Sequence, residues 1–366
     1  MRVSHVLSPV FDDPNLVSAA GLVPVLELAE QCGLSELLRE HLTIPSPNRT
    51  VKARTVIAGL LAGADDTDGL DVLRSGGMKR VVAGVRAPST VGTFLRKATH
   101  GHVLQLGAVN RGLLEGLACH VPSLVGSSNM VLIDLDDTIR EVHGYQKQGA
   151  AYGYSGVRGL NALVAAVSTD HSLPVIAEAG LRKGNARSGD SRDGTRPAPL
   201  PRSGRIVPNR QVLTRGDSAF CTHAHVAAVM DARAWFSFTI PQWATVHAAI
   251  ASIPENAWIP IEYPEAVWDD QAGGWVSDAE VAETAFTAFT SRKNDEQVRC
   301  RLVVRRVKRL SGNIKHGQDT LFDTYRHHAF ITNSTLSTVE ADRRHRGHAV
   351  IDYLDVGVMP MLCGSA

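Results

Sequence analysis

The chain lacks any run of about 18 consecutive apolar residues, so no membrane-spanning helix is expected. Its first fifteen residues, MRVSHVLSPVFDDPN, hold no apolar stretch of the about 7–15 residues that a secretory leader uses, so no leader is expected either. Cysteine is scarce: Cys32, Cys119, Cys221, Cys300 and Cys363 are scattered, with no CxxC pair. That argues against a disulfide framework or a cysteine zinc site and fits a reducing, cytoplasmic compartment. A strong charge of one sign is also missing. The net charge is +1, so bulk electrostatics alone do not announce a nucleic-acid partner. What is present is ordinary for a globular protein. With 44% hydrophobic and 20% charged residues over 366 positions, two or three packed domains are expected rather than a disordered chain.

The first 125 residues read as helices. Apolar residues recur at helical spacing through 21–42, with Gly33 as a break, and further helices are expected over 51–64, 87–99 and 102–119. In the 87–99 segment Ser89 or Thr90 can cap the helix, and Val91, Phe94 and Leu95 form one face. This unit carries Lys52, Arg54, Arg74, Lys79, Arg80, Arg86, Arg96, Lys97 and Arg111. Such a set reads either as a phosphate-contacting bundle with a helix-turn-helix near 87–99 or as an ordinary solvated surface.

Near residue 128 the pattern changes to strands. NMVLIDLDDTI (129–139), GLNALVAAVST (159–169), LPVIAEAGL (173–181), QVLTRG (211–216) and WFSFTI (235–240) are apolar runs, and HAHVAAVMDAR (223–233) is helical. The alternation predicts an α/β or α+β domain around a mixed sheet. A β-rich stretch is expected over 243–291, where Trp243, Trp258, Trp268 and Trp275 read as its core. A basic strand follows at 298–310, another strand at 327–335, and a helix over 337–354. Residues 187–210 contain six arginines, four prolines and almost nothing apolar, so neither a helix nor a strand is expected there.

Chemistry concentrates at the first strand. A period of two puts Asp134, Asp136 and Thr138 on one face and Asp137 on the other. Asp217 ends the strand VLTRGD. Carboxylates at the ends of neighbouring strands supply the oxygen ligands that a hard divalent cation needs, and paired ions of this kind cleave phosphodiesters. The competing reading is strand-end capping by aspartate. Asp134-Leu135-Asp136-Asp137-Thr138 also fits the D-x-D-x-T pattern of haloacid-dehalogenase-type phosphatases, with Asp134 as nucleophile. The second aspartate that such enzymes carry soon after the later metal motif is missing here.

HGYQKQGAAYGYSGVRGLNALVA (143–165), LRKGNARSG (181–189) and VLTRGDSAF (212–220) follow in order. Together with the aspartate strand they resemble the DDE transposases of bacterial insertion sequences. The resemblance is to the cut-and-paste group with a ribonuclease-H-like core and a β-rich insertion. It implies an N-terminal helical DNA-binding domain (1–125), a catalytic core (126–242), an insertion (243–291), and a final core part with a basic strand (292–366). It further implies cleavage and strand transfer at terminal inverted repeats with Mg²⁺ or Mn²⁺, on double-stranded DNA, by a homodimer. The family's aspartates fall on Asp136 and Asp217, with Asp134 a further metal candidate. Asp352, in ADRRHRGHAVID (341–352), stands where the family has glutamate.

Around these, His143, Tyr145, Gln146, Lys147, Arg182, Lys183 and Asn185 are candidate DNA contacts. So are Arg301, Arg305, Arg306 and Lys308 of the basic strand, where eight basic residues face two acidic ones within 292–309. The shortened third acid, the 187–210 segment and the divergent tail read as out-of-frame translation, the expectation for a decayed or frameshifted copy. A non-catalytic DNA-binding remnant is the corresponding alternative to an active enzyme.

Overall fold

A computed structural model describes residues 13–121, 129–144, 147–186, 210–261, 267–269, 274–276, 279–308 and 325–350. The N-terminal part is helical, as the periodicity predicts. Helices α1 (Leu22–Gln31) and α2 (Leu34–His41) break at Gly33, whose φ of +86° is the left-handed conformation that glycine adopts without strain. Helix α3 (Arg49–Leu61) follows, then a 3₁₀ segment (Asp68–Arg74) and the single turn α4 (Met78–Val81).

Helix α5 spans Pro88–Leu95. Its N-cap is extended Ala87 and Pro88 opens the first turn, so the helix starts one to two residues before the expected Ser89 or Thr90 cap. Helix α6 (His100–His120) begins in a capping box formed by Thr99 and His102. Leu34, Leu38, Leu42, Ile44, Phe94 and Val109 close one apolar core between these helices.

The remaining chain builds one large sheet. Its strands are β1 (Met130–Glu141), β2 (Ala151–Tyr152), β3 (Arg158–Thr169), β4 (Ser172–Lys183), β5 (Gln211–Gly216), β6 (Trp235–Thr239) and β7 (Ile259–Ile261). A short hairpin, β8 (Val267–Asp269) and β9 (Gly274–Val276), forms a separate ladder. Strands β10 (Ala279–Ala288), β11 (Val298–Lys308) and β12 (Tyr325–Thr332) return to the large sheet. Among the described residues the order is β2-β3-β1-β5-β6-β12-β11-β10-β7, with β4 also paired to β3. The β1–β5 and β5–β6 pairings are parallel, and the other pairings are antiparallel. The α/β expectation is met.

Both faces of the sheet centre are covered, so β5 and the first half of β1 are buried almost without a break. On one face Ile133, Leu135, Leu163, Ala165 and Phe236 pack with Leu114 of α6. Val226 and Val229 of α7 (His223–Asp231) and Val246 and Ile250 of α8 (Ala244–Ala251) complete this core. On the other face lies α9 (Thr338–Arg346), where Ala341 packs on Val303 and Phe330. A 3₁₀ turn, Gly347–Val350, continues it.

The 243–291 stretch opens with helix α8 rather than strand, and β10 continues the core sheet through β11 and β12. Trp243 is largely exposed, so it is no part of a core. The 187–210 anomaly, apart from Arg210, lies outside the described residues, as do the chain beyond residue 350 and Asp352.

Candidate active site

Asp134 and Asp136 share the α9 face of β1 but have different surroundings. Asp134 is 2% exposed and Arg215 is 3% exposed. They face each other across the β1–β5 register, and Arg215 donates from Nε at 2.6 Å and from Nη2 at 2.7 Å to the two carboxylate oxygens. This is a forked, charge-assisted pair. Burial pushes the Asp134 carboxyl above its ordinary range, against the pull of Arg215. Asp134 is therefore neither a metal ligand in waiting nor an accessible nucleophile. Both earlier readings of it fail because its oxygens are committed and closed to solvent.

Asp136 lies beyond the buried part of the strand and is half-buried. One carboxylate oxygen accepts from the Asp137 N–H at 2.8 Å. In the parallel ladder Leu135 is opposite Gly216, the last paired residues before Asp136 and Asp217. Asp217 is exposed and caps a short 3₁₀ turn (Ser218–Phe220), accepting from the Ala219 N–H at 2.9 Å. The expected capping role is real. Partial desolvation by the packed strand end raises its pKa, and the charge of Asp137 adds to the rise. His348 of the turn after α9 acts on both Asp217 and Asp134 in the opposite sense.

Asp137 points to the other face, as the alternation predicts. Its carboxylate accepts from Arg182 Nη2 at 3.1 Å and from Asn161 Nδ2 at 3.1 Å, and Arg182 also donates to Asn161 Oδ1. Arg182 is 6% exposed. It is a buried brace between β1, β3 and β4 and not a DNA contact, because its guanidinium is turned inward. Beside it, burial lowers the His225 pKa to about 4, with Arg182 adding to the fall and Asp137 opposing it. The glycine of the LRKGN segment has a steric reason. A Cβ on Gly184 would lie 2.0 Å from the Gly159 carbonyl oxygen.

The other expected DNA contacts divide. His143, Lys183 and Asn185 are exposed and Lys147 is half-buried, while Tyr145 and Gln146 lie outside the described residues. The basic strand β11 does not form an open channel wall. Arg301 bonds Glu283 and the Ser334 and Leu336 carbonyls. Arg305 pairs with Asp342 at 3.3 Å. Arg306 pairs with Glu255 and Glu280 and lies 4.3 Å from the Trp258 ring and 4.5 Å from that of Tyr325. Arg305 ties β11 to α9, while Arg301 and Arg306 tie it to β10 and to the segments before α9 and β7; the Lys308 side chain lies outside the described residues. In the helical unit, Lys52 is buried on Ser46 and Arg54, Arg74 and Arg111 pair with Glu30, Asp71 and Glu178. Lys79, Arg80, Arg96 and Lys97 remain exposed.

Sequence reasoning passed over Arg215 and Asn161. The signal was available: an arginine inside the apolar run QVLTRG needs a buried anionic partner.

Among the described residues no group of three His, Cys, Asp or Glu side chains is gathered to hold a metal. The donor chemistry of Asp136 and Asp217, carboxylates from two adjacent strand ends, nevertheless fits part of the oxygen shell of a hard divalent cation. No helix among the described residues is long and apolar enough to cross a membrane. Over residues 5–317 the chain matches the family described as transposase DDE domain group 1. Among curated proteins no match is found.

Proposed function

Because this chain belongs to the DDE-domain transposases, a family that acts on DNA with a divalent metal ion, we propose that it is a nuclease and strand transferase for the ends of an insertion sequence. The observation that supports the reading is the β1–β5 register, whose last pair, Leu135 and Gly216, comes one residue before Asp136 and Asp217 in each chain segment. These two residues would hold Mg²⁺ or Mn²⁺. Bound there, the cation would activate water and neutralise charge on the phosphodiester being cut. The third position falls to Asp352. The DNA is the element's terminal inverted repeats and its target, brought together by a homodimer. Exposed His143, Lys183 and Asn185, with Lys147, lie on segments flanking β1 and β4 and supply backbone contacts.

This copy is impaired. Asp352 is one methylene shorter than glutamate, and a misplacement of about 1 Å costs about 10²-fold in rate. The phosphatase reading is set aside on the buried Asp134–Arg215 pair. A DNA-binding remnant without catalysis is the second reading, favoured by the same Asp352. Cleavage of end-bearing DNA in Mg²⁺ or Mn²⁺, with Asp136→Asn as control, tests the proposal. Metal-dependent cutting that survives Asp136→Asn overturns it.

A further inference from the structure

We infer that Arg215 is a positioning residue, a guanidinium clamp that sets the last helix against the two strands bearing Asp136 and Asp217. The inference rests on the reading of those two aspartates as metal holders. One side chain reaches all three elements. Nε and Nη2 hold Asp134 on β1 at 2.6 and 2.7 Å. Nη1 donates to the Arg344 carbonyl, and Nη2 donates to the Gly347 carbonyl at 3.3 Å. Arg215 itself lies on β5, two residues before Asp217.

Arg344 lies in the last turn of α9, where carbonyls lack an i+4 donor within the helix, and Gly347 is the C-cap that follows it. A cation is favoured at that end by the helix dipole. The planar fork explains the choice of residue, since a lysine presents one point charge and cannot serve two carboxylate oxygens and two carbonyls together. The clamp works at the point where geometry matters. His348 follows Gly347 and acts on Asp217 and Asp134, and Asp352 comes five residues after Gly347.

The rest of α9 has its own anchors. Asp342 pairs with Arg305, Arg344 with Asp170, and His345 bonds Ser237 and Thr239. Loss of Arg215 is therefore expected to loosen the helix end and leave the helix docked.

The test compares the full-length protein with Arg215→Lys and with the double variant Asp134→Leu/Arg215→Met. The double variant removes both members of the buried pair, so it leaves no uncompensated charge and keeps the fold where Arg215→Ala would not. Hydrogen exchange is read at the Gly347 and His348 amides and at those in the middle of α9. The clamp predicts about tenfold or faster exchange at the helix end in the double variant, a smaller rise in Arg215→Lys, and little change mid-helix. Unchanged exchange at Gly347 and His348 in a folded double variant overturns the inference, and so does loss of protection along all of α9. Mn²⁺ binding, followed by titration calorimetry, separates the two readings. Failure of the unaltered protein to bind Mn²⁺ counts against the metal assignment alone. Unaltered exchange counts against the clamp alone.

Discussion

Asp134, Asp136 and Asp137 are near neighbours in sequence with three different environments. Asp134 is locked to Arg215 inside the sheet, Asp136 is half-buried just past the last β1–β5 pair, and Asp137 is braced by Asn161 and Arg182 on the opposite face. The alternation of a strand made this division legible for Asp136 and Asp137. It was silent on Asp134, because an alternating pattern gives a face and not a partner. The pairing predicts that Asp134→Ala, which leaves the Arg215 charge buried alone, destabilises the fold by about 3–5 kcal/mol. Urea denaturation would measure it, and a change below about 1 kcal/mol would contradict a buried pair.

His225 carries a second prediction at this scale. Its folded pKa is about 4, against an unfolded value near 6.5. Between those values the unfolded chain binds a proton that the folded chain does not. Stability therefore rises with pH across the window and is lost as pH falls from about 6.5 to about 4, by about 3 kcal/mol in all. Buried His345 acts in the same direction, whereas Asp134 and Glu178, whose pKa values burial raises, act in the opposite one. The difference in pH dependence between the unaltered protein and His225→Leu isolates the histidine. Parallel curves would refute the assignment.

At the scale of elements, the helices and strands were largely legible because their apolar spacing is strong. β1, β5, β6 and α7 lie within a few residues of their expected ends. The end of the last helix was less so. α9 gives way to a 3₁₀ turn at Gly347, since a polar, basic sequence carries no apolar period to mark where the helix stops.

The basic strand was misread for a physical reason. Arg301, Arg305 and Arg306 look like a DNA-facing row only while their partners on β10, α9 and the segment before β7 are unknown. Arg306→Gln is accordingly expected to lower the melting temperature by several degrees, from lost ion pairs and ring contacts. It should leave the salt dependence of DNA binding unchanged. A shallower salt slope in a variant of unaltered stability would restore Arg306 to the DNA surface.

α6 offers a separate test of element packing. A Cβ on Gly107 would lie 2.8 Å from a Glu178 carboxylate oxygen that Arg111 holds at 2.8 Å. Gly107→Val should therefore cost about 1–3 kcal/mol by displacing that pair. Glu178→Ala in the same chain should recover part of the loss, and thermal unfolding of the single and double variants would show whether it does.

At the scale of the whole molecule, α6 does not stop at a domain boundary. Asn110 donates to the Ile176 and Ala177 carbonyls, Arg111 pairs with Glu178, and Leu114 enters the sheet core. The helical part is thereby fixed to the large sheet. Its exposed cations Lys79, Arg80, Arg96 and Lys97 are carried on the same body as Asp136 and Asp217.

The family was legible from ordered motifs, and the surroundings of the candidate site only in part. Two aspartates fall at neighbouring strand ends, but the residues that hold the strands and the last helix in place are distant in sequence. Arg215 and Gly347 are 132 residues apart. Such contacts leave no local pattern to read.

The most direct measurement is cleavage of linear DNA carrying the element's inverted repeats, in Mg²⁺ and Mn²⁺, by the unaltered protein, Asp136→Asn and Asp352→Glu. The account predicts weak metal-dependent cutting by the unaltered protein, none by Asp136→Asn, and a rise toward about 10²-fold in Asp352→Glu as the third carboxylate regains its reach. Cutting that persists in Asp136→Asn would contradict it.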